Sequence, residues 1–107
     1  KSIDKSKLKD LKILEKVKIN QLTPLRVVHR RADKLRKRYV EKIECKVLNR
    51  RTVEFRIRAE TGLYIKELIH GDYGRTKPNI AEILNNKVKS IKLDVVKIYF
   101  DESTNFN

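Results

Sequence analysis

At 107 residues the chain is long enough for one hydrophobic core, and a division into two domains would leave each half marginal. Lysine and arginine number 27 against 14 acidic residues, a net charge of +13, which favours a polyanionic partner, nucleic acid before an acidic membrane surface, because neutralised phosphates release condensed counterions. No run approaches the roughly 20 apolar residues of a membrane span and no apolar signal core follows Lys1, so the chain reads as intracellular and cytoplasmic, with no membrane role.

Leu8, Leu11 and Leu14 recur at three-residue steps among lysines, so Asp4 to Lys16 is expected to form a short amphipathic helix capped by Ser2 or Asp4. Val17 to Leu22 alternates like a short strand, and Pro24 ends it by removing a backbone donor. The next stretch carries Arg26, Arg30, Arg31, Lys34, Arg36, Lys37 and Arg38 against Asp33 alone, the densest positive run of the chain. Its conformation stays open, since Val27-Val28 favours strand while Ala32 to Arg36 suits a helical turn.

Tyr39 to Leu48 and Thr52 to Glu60 give the clearest pattern. Tyr39, Ile43, Cys45 and Val47, then Val53, Phe55, Ile57 and Ala59, alternate with charges, which predicts a hairpin turning at Asn49-Arg50-Arg51. Lys42, Glu44, Lys46, Glu54, Arg56 and Arg58 fall on the other face, available for cross-strand pairing, RNA contact or plain solvation. Gly62 to His70 switches to helical spacing on Ile65, Leu68 and Ile69, with Gly71 as a left-handed cap. After the turn-rich loop Asp72 to Pro78, Asn79 is placed to cap a second short helix through Asn85. Val88 to Phe100 alternates on Ile91, Leu93 and Val95 and then on Val96, Ile98 and Phe100, which predicts a long strand bulged at Val95-Val96 before a polar tail, Asp101 to Asn107. The sum is an α+β unit with a mixed, mostly antiparallel sheet and short helices. Residues 1–16 form a helical connector, 17–100 the sheet with its helices, and 101–107 the tail.

Chemistry-bearing residues are few. Cys45 has no disulfide partner, and with only His29 and His70 beside it there is no metal-ligand spacing, so no zinc is expected. Glycine-rich phosphate loops and nucleophile triads are absent, and each histidine reads as a hydrogen-bond donor to phosphate or backbone. Tyr39, Tyr64 and Tyr73 offer rings for base stacking, although a single tyrosine is more often a core-edge residue. The absence of methionine suggests that Lys1 is not a natural start and that the chain is an excised piece.

Three blocks are more specific: Gln21-Leu22-Thr23-Pro24-Leu25-Arg26-Val27-Val28-His29-Arg30-Arg31-Ala32-Asp33, Glu60-Thr61-Gly62-Leu63-Tyr64-Ile65-Lys66-Glu67-Leu68-Ile69-His70-Gly71-Asp72, and Gly74-Arg75-Thr76-Lys77-Pro78-Asn79. In order and spacing they resemble the C-terminal part of the catalytic domain of the archaeal and eukaryotic Pus10 family of tRNA pseudouridine synthases, which modify T-loop uridines. The resemblance implies a cofactor-free isomerase that detaches uracil from ribose, rotates it and rejoins it through carbon, with the target nucleotide flipped out of its stack. It also implies that the essential aspartate, in a Gly-Arg-containing motif, and a stacking tyrosine after it lie in a missing N-terminal part of the same polypeptide, so this chain alone is expected to be inactive. Gly62-Leu63-Tyr64-Ile65-Lys66 resembles the family's Gly-x-Tyr-Ile-Arg/Lys motif, in which the cation, Lys66, pairs with the catalytic aspartate and Tyr64 lines the pocket. Ile83 falls where related families place an apolar pocket residue, though helix packing explains it equally well. Asp33 and Asp72 are read as structural rather than as substitutes for the nucleophile. The partner implied is the T-arm of tRNA, contacted by Arg26, His29, Arg30, Arg31, Lys34, Arg36, Arg38, Arg75 and Lys77. The competing reading is a free-standing basic RNA-binding module without catalysis.

Overall fold

The computed structural model describes residues 3–88 and residue 91. It contains an N-terminal 3₁₀ helix (Lys5–Glu15), strands β1 (Lys18–Leu22), β2 (Leu35–Asn49) and β3 (Thr52–Ala59), helix α1 (Ile65–His70), a 3₁₀ turn (Asp72–Gly74), strand β4 (Thr76–Lys77) and helix α2 (Ile80–Leu84). The sheet order is β3-β2-β1-β4 and every described pairing is antiparallel, which makes the chain the expected α+β unit. The bulge expected at Val95-Val96 and the polar tail lie outside the described residues. Among the described residues no helix is long and apolar enough to cross a membrane.

The N-terminal helix forms where its leucines require, but with 3₁₀ geometry over its whole length. At three residues per turn, positions three apart stack in one line, so Leu8, Leu11 and Leu14 make a single ridge. Leu11 and Leu14 are fully buried against β2 and α2, each worth roughly 1.5–3 kcal/mol of transferred side chain. Asp4 caps the start by accepting the Ser6 amide at 3.0 Å. The same helix closes a gap in the sheet. β1 pairs with β2 only from Leu35 to Tyr39, and beyond it Lys12 donates to the Ile43 carbonyl at 2.8 Å while Glu15 accepts the Ile43 amide at 2.7 Å. Two side chains thus satisfy backbone groups that a longer β1 would have bonded. The Ile43 amide holds the Glu15 carboxyl below the ordinary range, outweighing its desolvation, with Lys12 adding to the effect.

The hairpin is present, with a change of phase that its alternation conceals. The β2–β3 register slips between Val40 and Lys42, so Val40 and Ile43 both face the core although three positions separate them. Tyr39 is thereby turned to the outer face, 48% exposed, with the Lys18 ammonium over its ring at 5.5 Å. Cys45 is exposed and Val47 half-buried, so the far end of the hairpin is only partly covered. The core gathers Leu11, Leu14, Ile19, Val40, Ile43, Ala59, Leu63, Ile65, Leu68, Ile80 and Leu84, which joins all the helices to one face of the sheet.

The helix ends follow the sequence signals. Gly71 closes α1 at φ 89°, and a Cβ there would lie 2.6 Å from Asn79 Nδ2. Asn79 itself is buried, accepts the Glu82 amide at 2.8 Å as the cap of α2, and donates to the Thr76 carbonyl at 2.9 Å. The end of α1, β4 and the start of α2 are therefore one hydrogen-bonded corner.

Candidate functional site

The Gly62–Lys66 segment leads from β3 into α1, and buried polar side chains fix it. Gln21 on β1, 1% exposed, accepts the Tyr64 amide at 2.8 Å and donates to the Tyr64 carbonyl at 3.0 Å and to Thr76 Oγ1 at 3.1 Å. Its side-chain amide thus replaces a missing strand neighbour and locks the backbone on which the Tyr64 ring is mounted. Over that ring lies Arg26, its Cζ 5.7 Å from the centroid. Arg26 is held in turn by Glu67, Nε to Oε2 at 2.8 Å and Nη2 to Oε1 at 3.3 Å, a two-pronged pair. Glu67 holds the Arg26 guanidinium above its ordinary range, so the arginine stays charged. His70, one turn beyond Glu67, accepts the Asp72 amide through Nδ1 at 2.9 Å, which leaves Nε2 as the protonated nitrogen facing Glu67 at 3.8 Å.

Lys66 occupies the second position of α1. It is half-buried, and among the described residues its ammonium has no hydrogen bond or ion pair. Gly62, at φ 100°, packs against Arg38, whose Nε would stand 3.0 Å from any Cβ at that position. Arg38 therefore borders the entrance to the Tyr64 segment and bonds the Lys37 carbonyl at 3.0 Å.

The stretch left open by its sequence, Arg26 to Arg38, is neither a strand at Val27-Val28 nor a helical turn at Ala32 to Arg36: it runs as a loop of turns to Asp33 and enters β2 at Leu35, and the loop from Pro24 to Asp33 is stapled at its neck. Thr23, fully buried, donates to the Ala32 carbonyl at 2.7 Å and accepts from the Lys34 amide at 3.2 Å and from Arg36 Nη1 at 2.7 Å. Arg75 reaches across to the Thr23 carbonyl at 3.0 Å and Asp33 at 2.6 Å, and Asp72 accepts the Leu25 amide at 3.0 Å. Asp33 and Asp72 are thus occupied in holding this loop. Of the cations expected to meet RNA, Arg26, His29, Arg30, Arg31, Lys34 and Lys77 are exposed, while Arg36, Arg38 and Arg75 are half-buried. The side chains of Arg30 and Arg31 have no partner among the described residues. Arg26, Arg36 and Arg75 serve as internal ties as well, and Arg75 Nε is buried without a hydrogen-bond partner. Ile83 packs against the core.

One concavity of about 500 Å³ opens at the far end of α1, lined among others by His70, Tyr73, Asn79, Glu82, Asn86 and Lys87. Tyr64 and Lys66 do not line it. Gln21, Thr23 and Glu67 were missed from sequence, because a polar residue inside a strand or short helix looks solvated; their only signal was membership of the matching blocks.

An antiparallel sheet with helices on one face, a tyrosine with an arginine over its ring and a cationic loop define a basic α+β unit. Its family follows from comparison: residues 1–99 match the family model described as "Pus10, C-terminal", and the chain belongs to that family. It is similar to the tRNA pseudouridine synthase Pus10 of Thermofilum pendens, 50% identical over 99 residues that cover 92% of this chain and 22% of the relative. The protein of the same name from Methanosphaera stadtmanae is 46% identical over 95 residues, 88% of this chain and 23% of the relative. That of Homo sapiens is 38% identical over 101 residues, 94% of this chain and 19% of the relative. The chain therefore spans about a fifth of the length of these curated relatives.

Proposed function

We propose that the chain is the C-terminal part of the catalytic domain of a tRNA pseudouridine synthase that isomerises a T-loop uridine. In this reading it supplies tRNA contacts and groups that support the active site, while the nucleophilic aspartate comes from polypeptide outside it. The observation that carries the reading is the treatment of the Gly62–Lys66 segment. Gln21 clamps the Tyr64 backbone in both directions, Glu67 fixes Arg26 over the ring, and the Lys66 ammonium two residues on is left unpaired among the described residues. An ammonium about 3 Å from a carboxylate favours its ionised form and fixes its direction, which suits a positioned nucleophile. A lysine supplies this as a point charge, without the rigid fork of an arginine. The Tyr64 ring offers a flat apolar wall for the uracil while the base turns.

Asp33 and Asp72 support an external nucleophile, since each is already bound to loop backbone or to Arg75. The loop from Pro24 to Asp33 presents His29, Arg30 and Arg31 to solvent beside that segment, where they suit the phosphates of a T-arm. One observation favours a plain RNA-binding module instead: the described concavity excludes Tyr64 and Lys66. The two readings separate on the full-length protein encoded with this chain. It is expected to form pseudouridine in the T-arm of a tRNA transcript in the presence of a chelator, with this chain alone inactive. Tight tRNA binding by the full-length protein with no pseudouridine formed would leave the module.

A further inference from the structure

The turn after α1 runs through four consecutive positive φ values: Gly71 at 89°, Asp72 at 49°, Tyr73 at 58° and Gly74 at 85°. Left-handed backbone is free for glycine and unfavourable for a tyrosine, which has neither the small side chain nor the local hydrogen bonds that let asparagine or aspartate tolerate it. The turn is held on both sides. Asp72 bonds the Leu25 amide and His70, Gly71 abuts Asn79, and the Gly74 and Thr76 amides both return to the Gly71 carbonyl at 3.0 and 3.1 Å. What this scaffold displays is the Tyr73 ring, 94% exposed and without a partner among the described residues. A connector would be served as well by glycine or asparagine at this position, so the ring is the feature to be explained.

Its surroundings specify the partner. Tyr73 lines the concavity at the end of α1, with Lys87 and His70 beside it and Glu82 as the one carboxylate among its described lining. Lys77 flanks the turn, its ammonium reaching within 4.0 Å of the Cβ position of Gly74. Lysines around a displayed ring suit a polyanion that carries flat bases, whereas lysine is depleted at protein–protein interfaces. We infer that Tyr73 is a stacking platform for an unpaired nucleobase of the RNA substrate, with Lys77 and Lys87 taking the adjoining phosphates. This rests on the tRNA reading above and adds a contact outside the Gly62–Lys66 segment.

The test compares the full-length protein with its Tyr73→Gly, Tyr73→Ala and Tyr73→Phe variants, by thermal melting and by equilibrium binding of a tRNA transcript at two salt concentrations. Tyr73→Gly is expected to melt at the same or a higher temperature, because strain is relieved, and to bind about tenfold more weakly, the worth of one base–aromatic stack. Tyr73→Ala should lose the same affinity, Tyr73→Phe should retain it, and the salt slope should not change because no phosphate contact is removed. Unaltered affinity in Tyr73→Gly overturns the inference and leaves the tRNA reading standing. A lower melting temperature with intact affinity also overturns it, and assigns the ring to packing against polypeptide beyond this chain. Failure of the unsubstituted protein to bind tRNA overturns both.

Discussion

Glu67 and Arg26 make the sharpest energetic prediction, because the pair is lopsided: the Glu67 side chain is 2% exposed and that of Arg26 50% exposed. Arg26→Ala strands a buried carboxylate, for which a loss of about 3–5 kcal/mol is usual; water at the arginine side screens the pair, so about 3 kcal/mol is expected. Glu67→Gln keeps the shape and returns the arginine to solvent, at about 1–2 kcal/mol, the worth of a charge-assisted hydrogen bond. The double variant should therefore be more stable than Arg26→Ala alone, because a neutral amide replaces the stranded charge. Hydrogen exchange at the α1 amides and thermal melting of the full-length protein read both effects. Turnover should behave differently: the double variant lacks the guanidinium over Tyr64 and should remain as slow as Arg26→Ala. If Glu67→Gln proves the costlier single change, or the double is as severe as the sum of the two, the pair does not work as described.

Two further predictions concern the N-terminal helix and the loop from Pro24 to Asp33. Glu15 has a folded pKa below its ordinary value near 4.5, so its stabilising bond to the Ile43 amide is complete above that value and lost as pH falls through the lower folded one. Glu15→Gln should thus be destabilised by about 1–2 kcal/mol at neutral pH, with the gap to the unsubstituted protein closing as melts are taken progressively below that ordinary value. A gap independent of pH would mean that the charge is irrelevant. Arg30→Ala with Arg31→Ala should weaken tRNA binding and flatten the plot of log affinity against log salt by about one unit per phosphate contact removed. An unchanged slope would take the loop out of the interface.

Local signals carried much of this fold. The hairpin, the Gly71 cap and the Asn79 cap each depend on residues a few positions apart, and all three stand where the sequence puts them. Even the 3₁₀ helix was written in the three-residue leucine spacing, although that spacing also suits an α-helix. What escaped depends on distant partners. The slip at Val40/Lys42, which turns Tyr39 outward, is set by packing against the helices, and alternation alone runs straight through it. The stretch from Arg26 to Arg38 stayed ambiguous because the shape of its loop is dictated by Thr23, Arg75 and Asp72, up to half the chain away. The site divides similarly: Tyr64 and Lys66 were marked by family resemblance, whereas Gln21 and Glu67, which fix the backbone and the ring's arginine, acquire meaning only through contacts.

In the proposed reading the Lys66 ammonium orients a carboxylate during catalysis. Single-turnover kinetics of Lys66→Ala and Lys66→Arg in the full-length protein, beside tRNA dissociation constants, test it directly. Lys66→Ala should slow isomerisation by about a hundredfold or more while affinity changes by less than about twofold, and Lys66→Arg should recover most of the rate. A fall in affinity that accounts for the whole loss of rate would make Lys66 a phosphate contact and contradict the account.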